Sequence, residues 1–256
     1  MAHILLTNDD GVAAPGLTAL VHALLPLAKV TVFAPNRNWS GGGHVKTLHR
    51  PLRARETHLP DGTPAIASDG APSDCVALAM LGLVPEKIDL VVSGINAGAN
   101  LGHDLTYSGT VTAAMEAVIN GAPGIAVSLC LEDPVTECDY GPAAGFAARA
   151  SQMVLSHGLP KGILLNINVP CGTKNDPQKV RITRQGLRVY RDELVRREDP
   201  RGLPYYWIGG EPPTGVLEEG SDFWAVTNGF ISVTPIQLDL TAHDLLSPLR
   251  DWSWTK

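Results

Sequence analysis

His3-Ile4-Leu5-Leu6-Thr7, followed at once by Asn8-Asp9-Asp10-Gly11, decides how the chain is read. The first five residues are a short, mostly apolar run, and the Asn-Asp-Asp-Gly that bounds them is turn chemistry. The segment therefore reads as a buried strand ending in a polar turn. The same alternation continues downstream. Pro15 to Leu25 carries apolar residues at helical spacing, with Pro15 in a first turn and Pro26 placed to stop the helix. Val30 to Ala34 reads as a second strand, Ser73 to Leu83 as a helix and Ile88 to Ser93 as another buried strand. Thr110 to Ile119 follows as a helix, Gly124 to Ser128 as a strand, Pro142 to His157 as a helix and Gly162 to Val169 as a strand. Strands separated by helices imply right-handed crossovers, hence an α/β fold with a mostly parallel sheet and helices on both faces. In such sheets ligands bind beyond the carboxyl ends of the strands, so the loops that follow the strands are where chemistry is expected.

The texture changes after about Pro170, which suggests a core over 1–175 and a β-rich C-terminal extension over 176–256. Leu187 to Arg201 mixes arginines 188, 191, 196, 197 and 201 with acids 192, 193, 198 and 199, the pattern of a solvated loop or hairpin. Pro204-Tyr205-Tyr206-Trp207 and a Gly/Pro-rich stretch to Gly215 come next. A protruding apolar hairpin of this kind packs well on a second subunit, so self-association to at least a dimer is expected. Phe230 to Leu240 reads as a pair of strands interrupted at Pro235.

Composition narrows the function classes. The 256 residues are 44% hydrophobic and 18% charged, a globular composition. A net charge of −6 argues against a nucleic-acid duplex as partner, although a local cation and backbone amides can still hold a small anion. The N-terminus lacks a basic leader, and the longest clean apolar run, Val76 to Val84, is far too short to span a bilayer. Cys75, Cys130, Cys138 and Cys171 are scattered, which argues against a disulfide framework or a thiolate zinc site. A cytoplasmic protein with no membrane partner is expected.

Four polar, glycine-containing loops fall on the ligand-binding edge. Asp9 and Asp10, adjacent at a strand's end, repel each other and lose hydration, a cost that a divalent cation offsets; a surface turn or helix cap is the plainer reading. Asn36 to Gly43 (NRNWSGGG) places Ser40 before Gly41, Gly42 and Gly43, whose backbone N–H groups could cradle a phosphate oxygen or form an open loop. His44 beside them could donate a proton or lie exposed. Ser93 to Asn100 (SGINAGAN) offers Asn96 and Asn100 as neutral oxygen ligands or donors, or as ordinary turn residues. Ser108, Gly109 and Thr110 open a helix, where they could cap it or hold an anion. Together the loops present hard oxygen donors, favouring magnesium, manganese or calcium over zinc. No GxGxxG, GxxxxGK[ST] or GxSxG occurs, which weakens a dinucleotide oxidoreductase, a P-loop ATPase and an α/β-hydrolase.

ILLTNDDG at 4–11, APNRNWSG at 34–41, DLVVSGINAGAN at 89–100, YSGTV at 107–111 and GFISVTP at 229–235 resemble the SurE family over essentially the whole chain. The resemblance implies a Rossmann-like core, a C-terminal extension used in subunit assembly (dimer or tetramer), and a metal-dependent phosphatase of nucleoside 5′- and 3′-monophosphates. Carried over by position, it implies one divalent cation per subunit, Mg2+ or Mn2+, held by Asp9, Asp10, Ser40 and Asn96. Some members also act on short polyphosphate. Ala71 and Ser73, and Ser221, depart from the residues usual at those positions, which touches at most the preference for base or substrate. The expected reaction is attack by cation-activated water, with Asp9 and Asp10 catalytic and Asn36, Gly41, Gly42, Gly43, Asn100, Ser108, Gly109 and Thr110 around the phosphate. An aspartyl-phosphate route suits less well, because both carboxylates are committed as ligands. A noncatalytic nucleotide- or metal-binding regulator is the alternative, and turnover separates the two.

Overall fold

A computed structural model describes residues 1–131, 139–173 and 179–254. In chain order the elements are β1 (His3–Thr7), α1 (Pro15–Leu24), β2 (Lys29–Pro35), β3 (Ala54–His58), β4 (Pro64–Ser68), α2 (Pro72–Leu78), β5 (Leu90–Ala97), α3 (Gly109–Ile119), β6 (Gly124–Cys130), α4 (Gly141–His157) and β7 (Ile163–Pro170). Then follow β8 (Val180–Ile182), β9 (Arg188–Glu198), β10 (Pro204–Gly215), α5 (Asp222–Thr227), β11 (Ile231–Gln237) and α6 (Leu246–Arg250). The main sheet runs β3-β4-β2-β1-β5-β6-β7-β11-β8. From β4 through β7 neighbouring strands are parallel, while β3 and β11 run antiparallel to β4 and β7.

The period of two in β1 explains why the sheet has two covered faces. Ile4 and Leu6 pack with Leu17, Leu20 and Val21 of α1 and with Ala143, Ala147 and Val154 of α4. Leu5, one residue out of phase, packs on the other side with Phe33, with Cys75 and Val76 of α2, and with Ala113 and Ala117 of α3. All three β1 side chains have no exposure to solvent. Truncating any of them to alanine would cost about 2–5 kcal/mol.

Four expectations are corrected. The strands β3 and β4 were not read from the sequence: ARETH at 54–58 is a polar edge strand with neither apolar alternation nor a β-branched run. The helix expected over 73–83 ends as α-helix at Leu78 and closes in a wider turn over Ala79–Leu83, where Gly82 adopts φ 110°. Phe230 to Leu240 gives one strand, not two, because Pro235 keeps its place opposite Leu165 of β7. The other neighbour, β8, pairs only with Ile231–Val233, so no ladder bond is asked of the Pro235 nitrogen on that side. Finally, Cys171 is disulfide-bonded, while Cys75 and Cys130 are buried free thiols and Cys138 lies outside the described residues. Separation along the chain does not report which loops the fold brings together.

The segment at 188–215 is a hairpin. β9 and β10 form their own two-stranded antiparallel sheet, apart from the main one. No described helix is long and apolar enough to cross a membrane.

Candidate active site

The carboxyl end of β1 lies between β2 and β5, so the loops after these three strands converge. Asn8 shapes the first turn: its amide donates to the Gly11 carbonyl at 3.0 Å and its oxygen accepts from the Gly11 N–H at 3.2 Å. Gly11 sits at φ 99°, where a side chain would be strained and would press on the Arg37 backbone. The loop after β2 is sewn to this turn, with Val12 N–H donating to Pro35 (2.8 Å) and Trp39 N–H to the Asp9 carbonyl (2.7 Å). Ser40 follows directly, its N–H held by Asn38 Oδ1 at 2.6 Å.

Asp9 is buried and faces the start of α3. Thr110 Oγ1 donates to Asp9 Oδ1 at 2.5 Å, and the Gly109 and Thr110 backbone also favours the carboxylate. Burial nevertheless dominates and raises the Asp9 pKa above the ordinary carboxylate value. Asp10 is pushed up to about 6, by burial first and by the neighbouring Asp9 charge second, with the Ala97 N–H opposing from 3.4 Å. Two carboxylates are thus held side by side, each less readily ionised than an exposed carboxyl.

Gly109 permits this approach. A β-carbon there would stand 2.7 Å from Asp9 Cβ and 2.9 Å from Asp9 Oδ2. Ser108 caps α3 by accepting from the Val111 N–H at 3.2 Å, which leaves its hydroxyl proton free to donate. The helix N-terminus expected to hold an anion therefore receives Asp9 itself.

The other sequence candidates are placed as follows. Asn96, half-buried at the end of β5, donates its amide to the Gly98 carbonyl at 2.8 Å. Asn100 is buried: its amide donates to Ser128 Oγ at 2.7 Å, and its backbone is gripped by Asn166 and Asn168. Of the three consecutive glycines, Gly42 N–H already donates to Trp39 O and Gly43 N–H to Tyr107 O, both at 2.9 Å. Only the Gly41 amide has no acceptor among the described residues. Asn36 is exposed, with its N–H on Ser68 O at 2.7 Å. His44 reaches away to Glu116 Oε2 at 3.0 Å, where Lys46 also pairs at 3.1 Å. Burial raises the Glu116 carboxyl, but these partners and Asn120 outweigh it and hold the group below its ordinary range.

Three neighbours were not singled out from the sequence. Tyr140, at the start of α4, has its hydroxyl acidity weakened by burial and by the Asp10 charge. Thr7 Oγ1 and Ser93 Oγ are buried without partners on adjacent, paired positions of β1 and β5. Nothing in a local sequence window marks such residues, because each is brought to the site by a different strand or helix.

The donor chemistry fits a hard divalent cation. Asp9, Asp10, Ser40 and Asn96 offer oxygen donors, and no cationic side chain pairs with either carboxylate among the described residues.

A mostly parallel sheet covered by helices, with paired aspartates at the carboxyl edge of its strands, places the protein in the Rossmann-like α/β class. The family model described as "Survival protein SurE" matches residues 4–192. A protein of Chloroflexus aggregans named "5'-nucleotidase SurE" is 52% identical, covering 98% of this chain and 99% of its own. One of the same name from Herpetosiphon aurantiacus is 51% identical, covering 98% of each chain. The crystal structure of the SurE protein from Aquifex aeolicus superposes with a TM-score of 0.80 at 40% identity, covering 97% of this chain and 98% of that one. The chain belongs to the SurE family.

Proposed function

We propose that this protein is a 5′-nucleotidase, a phosphoric monoester hydrolase that converts nucleoside monophosphates to nucleoside and phosphate. The observation that carries the reading is the Asp9–Asp10 pair after β1, buried and with both pKa values raised, beside the α3 N-terminus. The names of the relatives agree with it.

Asp9, Asp10, Ser40 and Asn96 would hold one Mg2+ or Mn2+ per subunit, which supplies Lewis acidity toward the phosphate and the attacking water. Thr110 and Gly109 fix Asp9, so its carboxylate keeps one orientation through turnover. The Gly41 amide, the Ser108 hydroxyl, Asn36 and Asn100 are the donors assigned to the phosphate oxygens. Gly42 and Gly43 act through the loop they close. Both 5′- and 3′-monophosphates fall within the reading, in a cytoplasmic protein.

Assembly belongs to the same reading, with residues 1–175 as catalytic core and 176–256 as the extension that joins subunits. Tyr206, Trp207 and Ile208 on β10 are 55%, 63% and 83% exposed, and the hairpin has no layer of its own to cover them. A second copy of the chain is the proposed cover, giving a dimer or tetramer.

The test is phosphate release from AMP and GMP with and without Mn2+ or Mg2+, for wild type and Asp10→Asn. Cation-dependent release that falls at least about 100-fold in the variant is expected. Cation-dependent nucleotide binding without any release would move the assignment to a noncatalytic regulator.

A further inference from the structure

The same sheet edge holds a second feature that the phosphate chemistry does not use. A cleft of about 330 Å³ opens between the start of β3 and the end of β4, lined by Asn36, Arg53, Arg55, Glu56 and Asp69 among others. Because β3 is antiparallel, its first residues lie beside the carboxyl end of β4: Ala54 is opposite Ser68 and Arg55 opposite Ala67. The cleft therefore lies on the functional edge. Asn36 belongs both to its wall and to the loop that continues through Trp39 and Ser40 onto Asp9. Strand order puts β4 two places from β1, or about 10 Å at ordinary strand spacing.

Its charges are unevenly committed. Asp69 accepts from the Arg53 N–H at 2.9 Å and pairs with Arg50 at 3.2 Å, so it is already neutralised. The side chains of Arg55 and Glu56 have no hydrogen-bond or ion-pair partner among the described residues. Around them the lining balances two arginines against two carboxylates. A balanced wall with one free guanidinium and one free carboxylate is poorly suited to a second phosphate. It suits a flat, neutral group that carries both donors and acceptors: the guanidinium plane stacks on a ring, and the carboxylate accepts from ring amino groups or sugar hydroxyls.

Resting on the nucleotidase reading above, we propose that this cleft receives the nucleoside portion of the substrate, with Arg55 stacking on the base, Glu56 accepting at its polar edge and Asn36 standing between the cleft and the phosphate. Arg55 and Glu56 then determine specificity without taking part in bond cleavage, since β3 stands three places from β1, whose end carries the aspartates.

The experiment compares wild type, Arg55→Ala, Arg55→Lys and Glu56→Gln on AMP, GMP, CMP and UMP, with p-nitrophenyl phosphate as a monoester too short to reach the cleft. Arg55→Ala is expected to raise KM for the nucleotides about threefold to tenfold with kcat nearly unchanged. Its kcat/KM on p-nitrophenyl phosphate should stay at the wild-type value, and Arg55→Lys should recover only part of the loss because it restores charge without the plane. Glu56→Gln should change the ranking of the four bases. Wild-type kinetics for Arg55→Ala on every substrate would overturn the inference and leave the nucleotidase reading standing. So would an equal KM change on p-nitrophenyl phosphate, which would place the effect at the phosphate rather than at the nucleoside. Absence of release from every monoester by wild type would overturn both.

Discussion

The loops after β1, β2 and β5 and the β9–β10 hairpin are both polar-rich in sequence, yet their surroundings differ in kind. At the sheet edge each loop is locked to the next by backbone bonds, such as Trp39 to Asp9 and Gly43 to Tyr107, and Asp9 is buried against α3. The hairpin satisfies its backbone only within its own two strands and leaves aromatics exposed on both faces. A buried, over-determined region can hold two carboxylates in an unfavourable arrangement, because the rest of the sheet supplies the stability. A free two-stranded ribbon has no such reserve and is marginal alone. The first region is suited to chemistry and the second to contact with something else.

Substitutions that act on one region and spare the other sharpen this contrast. The largest effect is expected from Gly109→Ala, whose new β-carbon must push Asp9 aside. Phosphate release should fall on the order of 100-fold while the oligomeric state, followed by light scattering, is unchanged. Trp207→Ser combined with Ile208→Ser should do the reverse. Subunit dissociation should strengthen by about tenfold or more in sedimentation equilibrium, with the far-ultraviolet circular dichroism of the core retained. An unaltered association constant would remove the hairpin from the assembly.

A smaller change, Thr110→Val, keeps the shape of the residue and removes the donor to Asp9 Oδ1. Activity should drop by roughly tenfold, and stability of the cation-free protein by about 1 kcal/mol, measured by urea denaturation. If activity holds, Asp9 is oriented by the helix backbone alone.

The smallest effect is a dependence on pH. Asp10 titrates at about 6 in the folded chain against 3.8 when unfolded. The unfolded state therefore releases this proton first, and ionisation costs the cation-free protein stability as pH rises from about 4 through 6. Asp10→Asn should thus melt a few degrees above wild type at pH 7 without cation, and the difference should shrink below pH 4. A saturating divalent cation should reverse the order at pH 7, where wild type gains and the variant does not.

Much of the fold was legible from residues alone, for reasons visible in particular elements. The apolar run of β1 and the helical spacing of α1 and α4 are local patterns, set by which side chains must leave water, and they reappear within a residue or two of the expected limits. Asp9, Asp10 and Asn96 were legible because a polar cluster following a buried strand must lie on the ligand edge. The edge strands β3 and β4 were not: at an edge, sheet formation rests on the neighbour's free backbone groups more than on hydrophobic pattern. Pro235 misled for a related reason, since its effect depends on whether a neighbour needs its nitrogen, which the three-residue length of β8 decides.

The sequence by itself therefore determined the alternation of elements, the parallel sheet and the oxygen-donor character of its edge, because hydrophobic period and residue chemistry are properties of short windows. Tertiary structure alone decided that Thr110 and Gly109 serve Asp9, that two of the three loop glycines already spend their amides, and that Arg55 reaches the edge where Asn36 stands. Apart from the local bond of Gly42 to Trp39, each of those facts is a distance between separate segments of the chain, and such distances are set by the packing of the whole sheet.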